Sequence, residues 1–429
     1  MPERLVNLMR GKSILLLGFG KEGRSSLSFI LKHLPKAEIG IADQNEIADA
    51  EQWLKRKSSL KFYCGEKYLD FVRDYELVLK SPGIHLTQEV LSSGNMSSQT
   101  DLFLQTYGHQ TIGITGTKGK STTAGLTHHL LQSLGQDALL VGNIGLPCFE
   151  VVSQIGDKSL IVYELSANQL QIVSSSPHIA VILNIYEEHL DHFGSYASYK
   201  QAKANIFRYA GRNDCLITSK AVLQKLGRTA SINPQIVEFT AIPDEITLEI
   251  KGLHNRQNAG AAVSALVAAG MDRQMIFRKL SGFKGLPHRL EYLGEKGGIS
   301  FYNDSIATVP EATIAALQTL GKVDFLILGG YDRGIRYDSL IDYLRSKPVP
   351  FVYLTGKAGA RMGKALEGAK GMNLHYFEEL REVMTMVFAR AGKKAICLLS
   401  PAAASYDRYK NFEHRGDLFR ALFHALQIA

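Results

Sequence analysis

The sequence predicts an α/β chain of three successive domains, and two observations carry that expectation. Strand-like apolar runs alternate with helical periods almost throughout, as in proteins that layer helices on parallel sheets. Three of the strands run into glycine-bearing loops: SILLLGFGKEG at 13–23, TIGITGTKGKS at 111–121 and DFLILGGYDRG at 324–334. Each junction can open its own nucleotide-type α/β unit. Polar or Gly/Pro-bearing stretches precede new strands near Tyr107 and Gly285, so the expected domains are 1–107, 108–284 and 285–429.

Length and composition agree with this division. A chain of 429 residues exceeds one ordinary core, and 45% hydrophobic with 21% charged residues is the balance of a soluble globular protein. The longest apolar run, Ala259–Met271, is broken by Ser264 and Gly270, so no membrane span is expected. The opening MPERLVNLMRGKSILLLGFG leads straight into a glycine loop and reads as a first strand, without the cleavage site of a signal peptide. Cys64, Cys148, Cys215 and Cys397 lie far apart with no CxxC, which argues against a zinc site or a disulfide framework and for the cytoplasm.

The formal charge of +8 points to anionic partners. Its densest run is only Lys55-Arg56-Lys57, without the basic stripe and interleaved aromatics of a nucleic-acid binder. No nucleic-acid partner is therefore expected, and small phosphorylated ligands account for the charge.

The first loop reads Gly18-x-Gly20-x-x-Gly23, with Asp43 closing the next strand-like run. This is a dinucleotide-type fingerprint, whose glycines admit a phosphate close to a helix N-terminus. It does not name the nucleotide: NAD, a UDP-sugar or an empty packing turn all fit. The second loop is more specific. In GTKGKSTT, Lys120 suits β/γ-phosphate charge and the Ser121 hydroxyl suits Mg²⁺. The spacing Gly116-x-x-Gly119-Lys120-Ser121 departs from GxxxxGKS, which would need glycine at Ile114, so a motor or switch GTPase is disfavoured. IVYELSANQL then puts Glu164 at a strand end, where α/β sheets meet their ligands. VILNIYEEHLDHF delivers Asn184, Glu187, Glu188, His189 and Asp191 in one stretch, and YKQAKANIF carries Lys200 and Lys203 on a helix. A solvated face suffices for Lys200.

GTKGKSTT, YELSANQL, NIYEEHLDH and YxxAK, in this order and spacing, resemble the central ATPase domain of the Mur ligase family. SPGI at 81–84, GNIG at 142–145, HNRQN at 254–258, LPHRLE at 286–291, NDSIAT at 303–308, LGGYDRG at 328–334 and SPAAASYDRYKNFEHRG at 400–416 extend the resemblance over nearly the whole chain. It implies a Rossmann-like UDP-binding domain, a P-loop-type ATPase sheet and a Rossmann-like C-terminal domain. It further implies an ATP- and Mg²⁺-dependent ligase that adds glutamate to UDP-N-acetylmuramoyl-L-alanine through an acyl phosphate; a monomer is expected.

The resemblance also assigns residues. Gly18, Lys21, Glu22, Asp43 and Gly83 would hold UDP, with Asn143 and His189 at the substrate's sugar-peptide end. Gly116, Thr117, Lys118, Gly119, Lys120, Ser121 and Thr122 would cradle the ATP phosphates. Asn255 and Asn258 would meet adenine, Asp304 the ribose and Arg289 the γ-phosphate. Ser121, Glu164, His189 and a carbamylated Lys203 would hold metal; a carbamate supplies the anionic oxygens that hard cations prefer. Catalysis would rest on Lys120, His189, Lys203 and Arg289, and the amino-acid site on Thr308, Lys357, Ser405 and Phe412.

One position departs from the pattern: glutamate-adding members carry lysine where NDSIAT has Ile306. D-Glutamate is the expected substrate, with L-glutamate as the alternative. A folylpolyglutamate-synthetase-like ligase would share the central chemistry but lacks the N-terminal UDP-type unit. The domain from 285 onward is expected to move as a body during turnover.

Overall fold

A computed structural model describes residues 2–86, 90, 94–188, 190–227, 233–250, 252–390 and 394–425. The chain divides into two compact units, Met1–Phe283 and Lys284–Ala429. His189, expected to touch both substrate and metal, lies outside the described residues.

Two all-parallel sheets make up the first unit. One contains β1 (Ile14–Leu17), β2 (Ile39–Asp43), β3 (Lys61–Cys64), β4 (Leu77–Lys80) and β5 (Met96–Ser97), in spatial order β3-β2-β1-β4-β5. β1 is the continuous apolar run ILLL, buried along its whole length. That is the signature of a parallel strand covered on both faces. The Lys21–His33 helix follows it through the first glycine loop. A methyl group on Gly23 would strike the Gly18 carbonyl, so glycine there lets the helix abut the turn.

Ahead of β1, residues Pro2–Met9 form a helix whose Leu5, Val6 and Met9 are buried. The sequence reading placed no element before the first strand. An eight-residue helix is marginal by propensity alone, and this one is held by packing on the Gln99–Tyr107 helix.

The other sheet contains β6 (Thr111–Thr115), β7 (Ala138–Gly142), β8 (Leu160–Glu164), β9 (Ile179–Ile182), β10 (Cys215–Thr218) and β11 (Gln235–Val237), in order β11-β10-β9-β6-β8-β7. β6 is central, with β8 and β9 as neighbours. Whatever leaves the carboxyl ends of these three strands is therefore brought together.

The second unit holds β12 (Glu291–Lys296), β13 (Ile299–Asn303), β14 (Phe325–Gly329), β15 (Phe351–Thr355), β16 (Asn373–Phe377) and β17 (Ala395–Leu399), in order β12-β13-β17-β14-β15-β16. Only the β12–β13 pair is antiparallel. Of the four cysteines, all unpaired, Cys64 is exposed and Cys148, Cys215 and Cys397 are buried.

The loops at the carboxyl ends of β13, β14 and β17 are tied together by Arg415, which is 2% exposed on the last helix, Phe412–Ala425. Its guanidinium donates to Ser305 Oγ (3.0 Å) and to the carbonyls of Ser305 (2.8 Å), Ala403 (3.1 Å), Ala404 (3.4 Å) and Gly329 (3.4 Å). Burial lowers its pKa to about 10, against the positive-favouring charges of Tyr409 and Asp407. Replacing Arg415 by leucine removes its donors from the Ser305, Ala403 and Gly329 carbonyls, while Ala404 O keeps Tyr331 N, at about 1–3 kcal/mol for each carbonyl left unsatisfied. The expected outcome is a lower thermal unfolding midpoint with a loss of more than about 3 kcal/mol. A midpoint equal to wild type would show that the carbonyls find other donors.

Candidate active site

Glu164 ends β8 with no exposed surface. Its Oε1 accepts from the Ser121 hydroxyl (3.1 Å) and Asn143 Nδ2 (3.2 Å). Its Oε2 is buried without a hydrogen-bond partner. A buried carboxylate oxygen left this way is costly unless a cation completes it. Ser121 opens the Lys120–Ser133 helix just past the phosphate-type loop, so loop and carboxylate share one helix N-terminus. The set of a hydroxyl and a carboxylate suits a hard cation such as Mg²⁺.

Lys203 lies nearby on the Tyr196–Arg208 helix, 1% exposed. Its Nζ donates to the Gly116 carbonyl (2.9 Å) and Thr115 Oγ1 (3.4 Å), and sits 4.8 Å from the centre of the Tyr199 ring. Burial drives its pKa well below the ordinary lysine value, helped by the charge of Lys120 and opposed by Glu188 and Glu164. Its neutral form is therefore accessible, and a neutral amine is nucleophilic. Lys120 folds over the loop, donating to the Gly116 and Thr117 carbonyls at 3.0 Å each.

The segment after β9 is fastened along this loop. The Asn184 side chain accepts from Lys118 N (2.9 Å) and donates to Lys118 O (3.0 Å), while Thr117 N reaches Asn184 O (3.0 Å). Thr117 Oγ1 accepts from Tyr186 N (2.9 Å) and meets Tyr199 OH (3.1 Å). Lys118 pairs with Glu188 at 2.6 Å. On the loop's other flank, a Cβ at Gly119 would come within 2.5 Å of Asn258 Oδ1, and Asn258 Nδ2 donates to Asn255 Oδ1 (3.1 Å). The two asparagines expected at adenine thus sit one turn apart beside the phosphate loop, at the start of the Leu253–Ala268 helix. Thr122 is half-buried in the same helix start as Ser121.

In the first sheet, Asp43 Oδ2 accepts from Phe19 N (2.7 Å) and its Oδ1 from Asn45 N (2.9 Å), so this acid shapes the glycine loop itself. Ser81 Oγ donates to Gly18 O (2.8 Å), which seats SPGI against the loop, with Gly83 exposed. Exposed Lys21 reaches the Gly145 carbonyl (3.2 Å), and Glu22 accepts from Gln169 Nε2 (2.8 Å). GNIG and YELSANQL therefore face the first glycine loop.

In the second unit, Arg289 is exposed between His288 and Leu290, which both take left-handed backbone (φ 61° and 45°). His288 is clamped by Asn303 Nδ2 (3.0 Å). Asp304 is buried, accepting from Ser400 Oγ (2.8 Å) and Leu290 N (3.0 Å). Burial raises its pKa to about 7, opposed by those two bonds and by Arg289. Ser405 is buried, Thr308 and Phe412 are half-buried, and Lys357 is exposed in the first turn of the Gly356–Leu366 helix. The Phe412 carbonyl accepts from Ser305 Oγ (2.8 Å).

Sequence reasoning gave no role to Tyr199, Arg333 or Arg415. Tyr199 stands four residues before Lys203, the spacing that stacks side chains on one helix face. Arg415 begins a buried stripe with Phe419, Leu422 and Phe423, so a charge on an apolar helical period was its signal. Arg333 Nη2 donates to the Thr308 carbonyl (2.8 Å), a contact between two loops that no spacing encodes.

The chain is similar to known proteins over nearly its whole length. Residues 114–239 match the Mur ligase middle domain, and residues 288–403 match the Mur ligase glutamate ligase domain. The UDP-N-acetylmuramoylalanine–D-glutamate ligase of Elusimicrobium minutum is 33% identical, covering 97% of this chain and 98% of that protein. The enzyme of the same name from Geobacillus kaustophilus is 32% identical over 97% and 98%. Among solved structures, the UDP-N-acetylmuramate–alanine ligase of Thermotoga maritima covers 96% of this chain and 99% of its own, with TM-score 0.58 and 18% identity. The MurF ligase of the same organism, in complex with ADP, covers 96% and 95%, with TM-score 0.55 and 17% identity. With a third of its residues shared end to end with such ligases, the chain belongs to the Mur ligase family.

Proposed function

We propose that the chain joins D-glutamate to UDP-N-acetylmuramoyl-L-alanine at the expense of ATP, as a monomer in the cytoplasm. The observation that carries this reading is Glu164, fully buried with one oxygen unpartnered, beside Ser121 and under a Gly-Lys-Ser loop. Ser121 and Glu164 would hold Mg²⁺, with His189 and a carbamylated Lys203 at a second position. Bound Mg²⁺ would offset the repulsion between the ATP phosphates and an attacking carboxylate.

The alanyl carboxylate oxygen attacks the γ-phosphorus, the bond to the β-phosphate oxygen breaks, and ADP leaves. Lys120 meets the charge that spreads over the transferred group, and Arg289 would do the same. The glutamate amine then attacks the acyl phosphate; phosphate departs and the amine loses a proton as the amide forms. Water would hydrolyse the acyl phosphate, so its exclusion is part of the chemistry. Gly116, Thr117, Lys118, Gly119 and Thr122 cradle the phosphates, Asn255 and Asn258 read adenine, and Asp304 holds the ribose. Gly18, Lys21, Glu22, Asp43, Gly83 and Asn143 serve the UDP precursor.

For the amino acid, Thr308, Lys357, Ser405 and Phe412 form the expected site, and Ile306 removes a cation from it. Arg333, bonded to the Thr308 carbonyl, brings a guanidinium to the same loop and can pair with a carboxylate. The altered charge pattern is also why L-glutamate stays a second reading, since a mirror-image substrate exchanges amine and carboxylate about one carbon.

Phosphate release from ATP should require both UDP-N-acetylmuramoyl-L-alanine and glutamate; release that ignores the omission of either would overturn the assignment. Lys203→Ala should lower turnover by more than the roughly 10–100-fold typical of losing a group that merely orients a metal ligand. Wild-type activity in that variant would remove the carbamate. Arg333→Met should raise the KM for glutamate by roughly tenfold, the loss of one charge-assisted contact, with the KM for ATP unchanged. Product assays with the two enantiomers decide the stereochemistry: ligation of L-glutamate alone would sink the D assignment.

A further inference from the structure

In the first sheet the strand order reverses between β1 and β4, the crevice where parallel sheets of this kind take a nucleotide. Two ionisable groups of opposite sign stand there. Glu22 is in the first turn of the helix that follows β1, and Lys80 is the last residue of β4, 2% exposed. Glu22 Oε1 accepts from Gln169, but Oε2 is buried without a hydrogen-bond partner. Lys80 Nζ lies 3.3 and 3.5 Å from the carbonyls of Ser81 and Pro82, long for an ammonium.

A helix N-terminus favours one anion, and here a carboxylate competes with the diphosphate for it. Burial lifts the Glu22 pKa to about 6, opposed by the Gln169 bond and by the charges of Lys80 and Lys21. Burial lowers Lys80 to about 8, with Glu22 opposing. Cys148 and Tyr163 also feel the Glu22 charge, and burial holds both thiol and phenol neutral. Of these groups, only Glu22 and Lys80 are shifted toward neutrality, and each feels the other's charge.

We propose that Glu22 takes up a proton from solvent when the nucleotide diphosphate binds, so that the UDP precursor is held by the neutral-acid form of the site. The inference rests on the proposed placement of UDP in the first sheet. The ligand's charge raises the Glu22 pKa above its free-state value. Affinity is therefore greatest below that value and falls as pH rises through it, by up to about tenfold per unit. It levels off above the bound-state value.

The test is calorimetric titration of the full chain with UDP-N-acetylmuramoyl-L-alanine, whose diphosphate diester does not itself titrate near neutrality. Measurements at pH 6, 7 and 8, in buffers of different ionisation enthalpy, give the protons taken up. Wild type should take up a fraction of a proton that grows from pH 6 to 7, with the Kd rising toward pH 8. Glu22→Gln, which mimics the neutral acid, should lose the uptake seen at pH 6 and 7 and bind about tenfold more tightly than wild type at pH 8. Binding of wild type without proton uptake overturns the proposal while leaving the UDP assignment standing. So does uptake that persists in Glu22→Gln and disappears in Lys80→Met. Failure of wild type to bind the precursor at any pH overturns the UDP assignment itself. If Glu22→Gln does not fold, the wild-type proton count and Lys80→Met still decide.

Discussion

A carboxylate with no exposed surface is expensive to keep in a folded protein unless charge and hydrogen bonds surround it. Glu164 is such a group, and much of the central site can be understood as what surrounds it. Ser121 and Asn143 satisfy one of its oxygens. Half-buried Lys120 adds positive charge nearby, and the pKa of buried Lys203 is depressed first by burial and then by the charge of Lys120. The strand order fixes this proximity: β6 carries the loop, β8 the carboxylate, and β9 the segment that fastens the loop from Asn184 to Glu188. Loop and segment are joined by so many bonds that neither can be repositioned alone.

The second unit solves a related problem with the opposite charge. Arg415 is buried among carbonyls, and among the described residues no carboxylate is bonded to it. Its planar fork gathers backbone from three loops at the carboxyl ends of the strands, which a flexible ammonium could not do at so many angles. Asp304 and Ser405, expected ligand contacts, hang on loops that Arg415 holds.

Much of this was legible in the sequence because the central site is local. Gly116 to Thr122 is one loop and one helix start, and the continuous apolar runs before it announce buried parallel strands. Lys203 was found through its motif, and its depth in the core was not visible, because a lysine on a helix ordinarily points to water. The helix at Pro2–Met9 escaped notice because its stability comes from packing on a segment ninety or so residues away. Asp43 was expected among the residues that hold UDP. That its carboxylate also holds the backbone of its own glycine loop was not legible, because the bond forms only once β1 and β2 are side by side. Arg333 and the Thr308 carbonyl likewise meet only through tertiary structure.

The cysteines have a practical side. Burial pushes the thiols of Cys148 and Cys397 far up, and Cys215 is raised as well. Thiol reagents attack the thiolate, so these three should resist labelling in the folded chain. Cys64 is exposed at the end of β3, in register beside Asp43. A single maleimide dye would therefore land on the rim of the first sheet without mutagenesis, giving an optical reporter two strand spacings, about 10 Å, from the strand that carries the first glycine loop.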